Sequence, residues 1–196
     1  MTPARAAQRL AGAAFATVLA AVLCACSVLP AAPAQPVIFD LGLAAAPTTS
    51  AELPNVLQVH APPWLDGTAL SYRLEYADSA RLAAYRDSRW AAPPAALMQE
   101  RLRQSQARAT GRPRAAVLRV QLEEFCQAFS APERSRAVVR LRAALLEPET
   151  GRLLAQQTFA EERDASSADA AGGAHALAAA ADTVLIRVLA WAAEPH

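Results

Sequence analysis

The hydrophobic rhythm of the chain changes several times, and each change marks a predicted element. Residues 11–23, AGAAFATVLAAVL, are apolar without interruption. Residues 37–43, VIFDLGL, read as a short strand that ends at Gly42 and the loop AAAPTTSAELP. Residues 56–60 form a second strand, stopped by Pro62-Pro63, which cannot donate to a ladder. After the Asp66-Gly67 turn, ALSYRLEY alternates: Leu70, Tyr72, Leu74 and Tyr76 fall on one face, and Ser71, Arg73 and Glu75 on the other. That is the mark of a half-buried strand. RLAAYRDSRW follows Ala77-Asp78-Ser79 and completes a hairpin.

Pro93-Pro94 open a predicted helix over 95–108, with Leu97, Met98 and Leu102 as its buried stripe and Gly111 beyond its end. Three strands follow. The first turns Leu118, Val120, Leu122 and Cys126 inward. The second turns Val139, Leu141, Ala143 and Leu145 inward, and Arg134, Arg136, Arg140 and Arg142 outward. This arginine ladder would suit anionic lipid, but Glu123 and Glu124 on the neighbouring strand offer ordinary cross-strand ion pairs. A tight turn at 148–151 leads into RLLAQQTFAEER. Ser166 or Ser167 is expected to cap a last helix, with Asp169 in its first turn and Leu177, Ala181, Val184, Val188 and Trp191 facing the sheet. The small residues of 171–181 permit close approach to strands, and Gly172-Gly173 reads as a loop or helix irregularity. Four strands, a helix, three strands and a helix predict an α+β fold: a mostly antiparallel sheet with two helices packed on one face.

The N-terminus carries different information. Arg5 and Arg9 precede the apolar run, no acidic residue does, and small residues follow it. This is the build of a bacterial secretory signal. The run is shorter than the ~20 apolar residues of a spanning helix. Leu23-Cys24-Ala25-Cys26 resembles the lipobox of bacterial lipoproteins, with Leu at −3 and a small Ala at −1. Framing the box on Cys24 would put bulky Leu23 at −1, so Cys26 is the expected diacylated residue and Cys24 leaves with the signal. A plain signal cut after Ala32-Pro33-Ala34 is the alternative. Ser27 rather than Asp after the cysteine points to the outer membrane. The expected organisation is a signal peptide at 1–25, a lipidated Cys26 with a Pro/Ala-rich tether at 26–36, and one domain at 37–196. Acyl chains attach such a protein to the membrane. Cys126 is then the one free thiol of the mature chain.

Composition narrows the function classes. All 19 basic residues are arginine, 18 acidic residues nearly balance them, and the charges alternate. No basic patch argues for nucleic acid. His60, His175 and His196 have no ligand partner at metal spacing, and no nucleophile elbow, P-loop or dinucleotide fingerprint occurs. Asp66, Asp87 and Glu75 lie in or near loops, unpaired by sequence. No catalytic residue, metal or cofactor is expected.

One set of residues carries a resemblance. Phe39-Asp40-Leu41 follows the lipobox closely, Pro62-Pro63-Trp64-Leu65-Asp66 ends the second strand, and Tyr72-Arg73 lies in LSYR. Arg89-Trp90 then precedes Pro93-Pro94 and the helix. The chain resembles the ABC-type transport auxiliary lipoprotein family over almost all of its mature length. The resemblance implies a non-enzymatic partner of an MCE-type ABC transporter that moves phospholipid or other hydrophobic substrates across a Gram-negative envelope. The implied partners are an MCE-family substrate-binding protein and its permease and ATPase; homo-oligomerisation stays open. Trp64, Leu65, Arg89 and Trp90 are the candidate residues, as a partner-docking patch or as core anchors. Exposure of Trp64 would favour docking, and burial would favour packing. An outer-membrane assembly lipoprotein, acting on lipopolysaccharide or barrel insertion, and a periplasmic hydrolase are the rival functions.

Overall fold

Eighteen consecutive residues, Arg114–Ala131, make the longest strand of the protein, for which a computed structural model describes residues 35–43, 52–111 and 113–195. The expected signal segment, Cys24, Cys26 and the tether through residue 34 lie outside the described residues. In chain order the elements are β1 (Val37–Phe39), β2 (Pro54–His60), a 3₁₀ turn (Pro63–Leu65), β3 (Ala69–Leu74), β4 (Leu82–Trp90), α1 (Pro94–Ala107), β5 (Arg114–Ala131), β6 (Arg134–Leu146), β7 (Leu153–Asp164) and α2 (Ala170–Ala193). The predicted succession of strands and helices is present.

β5 organises a seven-stranded sheet of order β1-β4-β3-β5-β6-β7, with β2 also paired to β5. On one edge β5 pairs antiparallel with β6, and β6 with β7. Its other edge is shared. β2 runs parallel to residues 114–121, and β3 parallel to residues 127–129. The sheet is mixed rather than purely antiparallel, because β1 is also parallel to β4. The reason is that β2 and β3 lie in succession along the same side of β5, separated by the Pro62-Pro63 turn, so both keep one direction along β5. Alternation carries no information about strand direction.

Both helices cover one face. Met98 and Leu102 of α1 and Leu177, Ala181, Val184 and Val188 of α2 share a single core with Leu118, Val120, Leu122, Val139, Leu141 and Leu145. α2 is long and apolar enough to cross a bilayer by length and composition. Its apolar side is instead buried on the sheet, with Trp191 edge-on to Phe159 at 5.8 Å.

Four local expectations are corrected. Cys126 does not face the helices: a bulge between Leu122 and Glu124 sets Glu123 and Glu124 against Arg140, and the side-chain parity flips. Phe125 enters the core in its place, while Cys126 is buried on the opposite face. Tyr76 is 49% exposed, because β3 ends at Leu74 and the amides of Ala77 and Asp78 both turn back to its carbonyl. The cap of α2 is Asp169, whose carboxylate accepts from the Gly172 amide at 2.8 Å and from the Ser167 hydroxyl at 2.8 Å. Those bonds, the Gly172 amide first, hold its carboxyl below the usual range. Gly172-Gly173 are helical, inside the first turn.

Gly173 explains the close approach. A Cβ there would lie 2.0 Å from Oε1 of Gln127. Gln127 is fully buried and held at both ends: the Tyr85 hydroxyl donates to its Oε1 at 2.8 Å, and its Nε2 donates to the Ser135 hydroxyl at 2.7 Å. Burial foremost, with Asp169 and Tyr72 adding to it, pushes the Tyr85 hydroxyl up to about 12, so it remains a donor. Gly173→Ala gains about 1 kcal/mol of helix propensity. It also displaces a satisfied buried amide, at a cost of about 1–3 kcal/mol, and the clash prevails. The denaturation midpoint is expected to fall; an unchanged or raised midpoint would contradict this packing.

Three arginines of the ladder are ion-paired, as cross-strand chemistry suggests. Arg142 meets Glu123 at 2.7 Å, Arg140 meets Glu124 at 4.0 Å, and Arg136 bridges Glu75 and Glu162 at 2.9 and 2.8 Å. These partly solvated pairs contribute about 0.2–1 kcal/mol each.

Candidate functional site

Two irregularities face each other across the sheet and create its most distinctive surface. Pro62-Pro63 interrupts the chain between β2 and β3, since proline can neither donate to β5 nor continue a ladder. The chain closes into the 3₁₀ turn Pro63–Leu65, with the Leu65 amide bonded to the Pro62 carbonyl at 2.8 Å. In the ladders to β2 and β3, the pairing on that side of β5 passes from Gln121 to Gln127. The Glu123-Glu124 bulge lies inside this interval. A cleft of about 500 Å³ opens there. Trp64, Leu65 and Leu82 give it apolar surface, Arg73, Glu123 and Glu124 give it charge, and Cys126 lines it as well.

The turn separates its two large side chains. Leu65 is 6% exposed and belongs to the core, whereas Trp64 is 67% exposed. Trp90 is 1% exposed and meets Phe125 edge-on at 5.5 Å, so it supports the cleft from within the core. Arg89 is exposed at the far end of β4, as the register partner of Ile38. It does not bind Asp87, which pairs with Arg86 at 2.9 Å. The four candidates therefore do not form one patch. Trp64 is a surface residue at a cleft, Leu65 and Trp90 are core anchors, and Arg89 belongs to another surface.

Burial first, then the neighbouring Glu124, pushes the Cys126 thiol up to about 12, so it stays protonated at neutral pH and is a poor nucleophile. Arg73 is occupied with the Ser79 carbonyl at 2.6 Å. Among the described residues, no group of three or more His, Cys, Asp or Glu side chains could hold a metal ion.

A second constellation escaped the sequence-based expectations. Arg101 of α1 is 5% exposed, donates to the carbonyls of Leu41 and Gly42, and pairs with Asp182 of α2 at 3.0 Å. It ties the segment after β1 to both helices. Burial lifts the Asp182 carboxyl above its usual range, and Arg101 pulls it partly back. Beside this knot a cleft of about 460 Å³ lies between Ile38, Leu41 and Gly42 on one side and His175, Ala179 and Asp182 on the other. Phe39 and His175 meet edge-on there at 6.3 Å. The available signal was an arginine on the Met98–Leu102 stripe, where an unpaired charge could not be buried.

This fold, a mixed sheet covered on one face by two helices, occurs in solved structures. A Xanthomonas campestris protein of family DUF330 is 22% identical, with a TM-score of 0.64 over 81% of this chain and 91% of its own. A second crystal structure, of an uncharacterised protein, is 15% identical, with a TM-score of 0.60 over 81% of this chain and 99% of its own. No curated protein matches the chain. The family model described as the ABC-type transport auxiliary lipoprotein component matches residues 39–188, and the chain belongs to that family. Its class is therefore that of an auxiliary lipoprotein component of an ABC-type transporter.

Proposed function

We propose that this protein is a lipid-anchored, non-catalytic subunit of an MCE-type ABC transporter, which moves phospholipid or other hydrophobic substrates across a Gram-negative envelope. Cys26 carries the acyl chains, the domain faces the periplasm from the outer membrane, and the cleft beside Trp64 docks the MCE-family substrate-binding protein. Permease and ATPase supply the energy elsewhere. The observation that carries this proposal is the 67% exposure of Trp64 at the rim of a half-apolar cleft, while Leu65 of the same turn is buried. A tryptophan left in water on a short, proline-rigidified turn is placed to act as an interface anchor, because aromatic and arginine side chains dominate interface energetics.

The test is the intact mass and membrane fraction of the expressed protein beside Cys26→Ser, followed by purification of its complexes from detergent-solubilised envelopes. Acylated wild type is expected to bring down an MCE protein with its permease and ATPase, and Cys26→Ser to lose processing and anchoring. An unacylated, soluble wild type, or recovery of a barrel-assembly complex in place of the transporter, would overturn the proposal.

A further inference from the structure

Seven large apolar side chains are exposed among the described residues, and three of them, Val37, Ile38 and Leu43, fall within the seven-residue segment that opens the folded domain. They are 55%, 57% and 99% exposed. Ile38 borders the cleft against His175, Ala179 and Asp182, and Ile186, 43% exposed, lies one turn further along the same side of α2. An apolar surface gathered at one place, when most exposed hydrophobes are scattered singly, marks an interaction site.

Charge and chain reach identify the occupant. Arg89 shares the sheet face of Ile38 as its register partner in a parallel ladder, is exposed, and makes no ion pair or hydrogen bond among the described residues. Asp182 is neutralised by Arg101, while Asp40, exposed and accepting from the Gly42 amide at 2.7 Å, stays at the solvated rim of this surface. The surface thus offers aliphatic side chains beside one free cation, a combination that suits acyl-chain ends and lipid phosphates. The eleven residues from Cys26 to Val37 span at most about 40 Å. An acyl anchor therefore holds the start of the domain within about 40 Å of the bilayer.

We propose that the β1 segment and the adjoining side of α2 form a membrane-interface surface, which lays the domain on the same bilayer that holds its acyl chains, with Val37, Ile38 and Leu43 inserted and Arg89 at phosphate level. This rests on the lipidation of Cys26 proposed above. It leaves the Trp64 cleft free for a protein partner.

The test uses the full acylated protein in vesicles of phosphatidylethanolamine and phosphatidylglycerol. Spin labels are placed at Leu43→Cys and, as a control, at the exposed Leu153→Cys of β7, both with Cys126→Ala. The label at 43 is expected about 5–10 Å below the headgroup boundary, open to oxygen and shielded from a water-soluble nickel complex. The label at 153 stays open to nickel, and Ile38→Asp restores nickel access at 43. Equal nickel access at 43 and 153 in a floating, acylated protein overturns the interface. Shielding at 43 only after an envelope protein is added also overturns it and gives the surface to that protein. Loss of flotation together with an unacylated mass removes the anchor and this proposal with it, an outcome that mass alone separates from the other two.

Discussion

Trp90→Ala is expected to lower the unfolding free energy by about 4 kcal/mol, close to the whole stability of a marginal domain. The indole is 1% exposed at the end of β4 and sits edge-on to Phe125 at 5.5 Å. Its own amide is bonded to the Thr68 carbonyl at 2.8 Å, which fixes the ring where β4, the 3₁₀ loop and the bulged part of β5 meet. Alanine removes a large apolar area and leaves a cavity beside Phe125, in addition to about 1 kcal/mol from the aromatic pair. Trp64→Ala, on the exposed side of the same region, is expected to stay within about 0.5 kcal/mol of wild type. Urea titration of both variants checks the contrast. Similar losses for the two would contradict the assignment of one tryptophan to the core and the other to the surface.

Asp182→Ala should cost about 3 kcal/mol, the lower end for breaking a buried pair, because the Asp182 side chain keeps 23% of its exposure. The Arg101 side chain, 6% exposed, would retain its carbonyl acceptors at Leu41 and Gly42 and lose its counter-charge. If charge burial is the cause, Arg101→Met combined with Asp182→Leu recovers most of the loss. A double variant as unstable as the single one would point to packing. The pH dependence has a distinct sign. Burial raises the folded-state pKa of Asp182 above its unfolded value, so this group's contribution is full below the unfolded pKa and is lost as the pH rises through the raised folded value. Most native carboxylates do the opposite. Asp182→Asn removes this opposing slope, so stability should rise more steeply with pH than in wild type across that range, measured as stability against pH for both proteins.

Elements with an unbroken period were legible from the residues alone. The inward set Val139, Leu141, Ala143 and Leu145 and the α2 stripe from Leu177 to Trp191 lie where alternation and helical spacing place them, because nothing interrupts either run. The bulge was not legible. Glu123-Glu124 suits a solvated face in both parities, and only the apolar Phe125, out of phase with Leu122, signalled the flip. Strand direction was equally hidden, since a Pro-Pro break reads as a turn whether the chain reverses or, as here, continues along the same neighbour. Trp64 and Trp90 both stand near prolines, and only the tertiary arrangement separates the tryptophan in water from the one under Phe125. Local pattern decides which residues alternate, but not what the neighbouring strand leaves uncovered.

In the proposed complex, Trp64 anchors a protein partner of the transporter. The most direct test is the affinity of the acylated protein for the MCE protein of its own transport system, measured for wild type and Trp64→Ala with melting temperatures recorded alongside. Loss of a buried aromatic anchor predicts binding weaker by about 2 kcal/mol, or about thirtyfold, with an unchanged melting temperature. Equal affinities for the two proteins would contradict it.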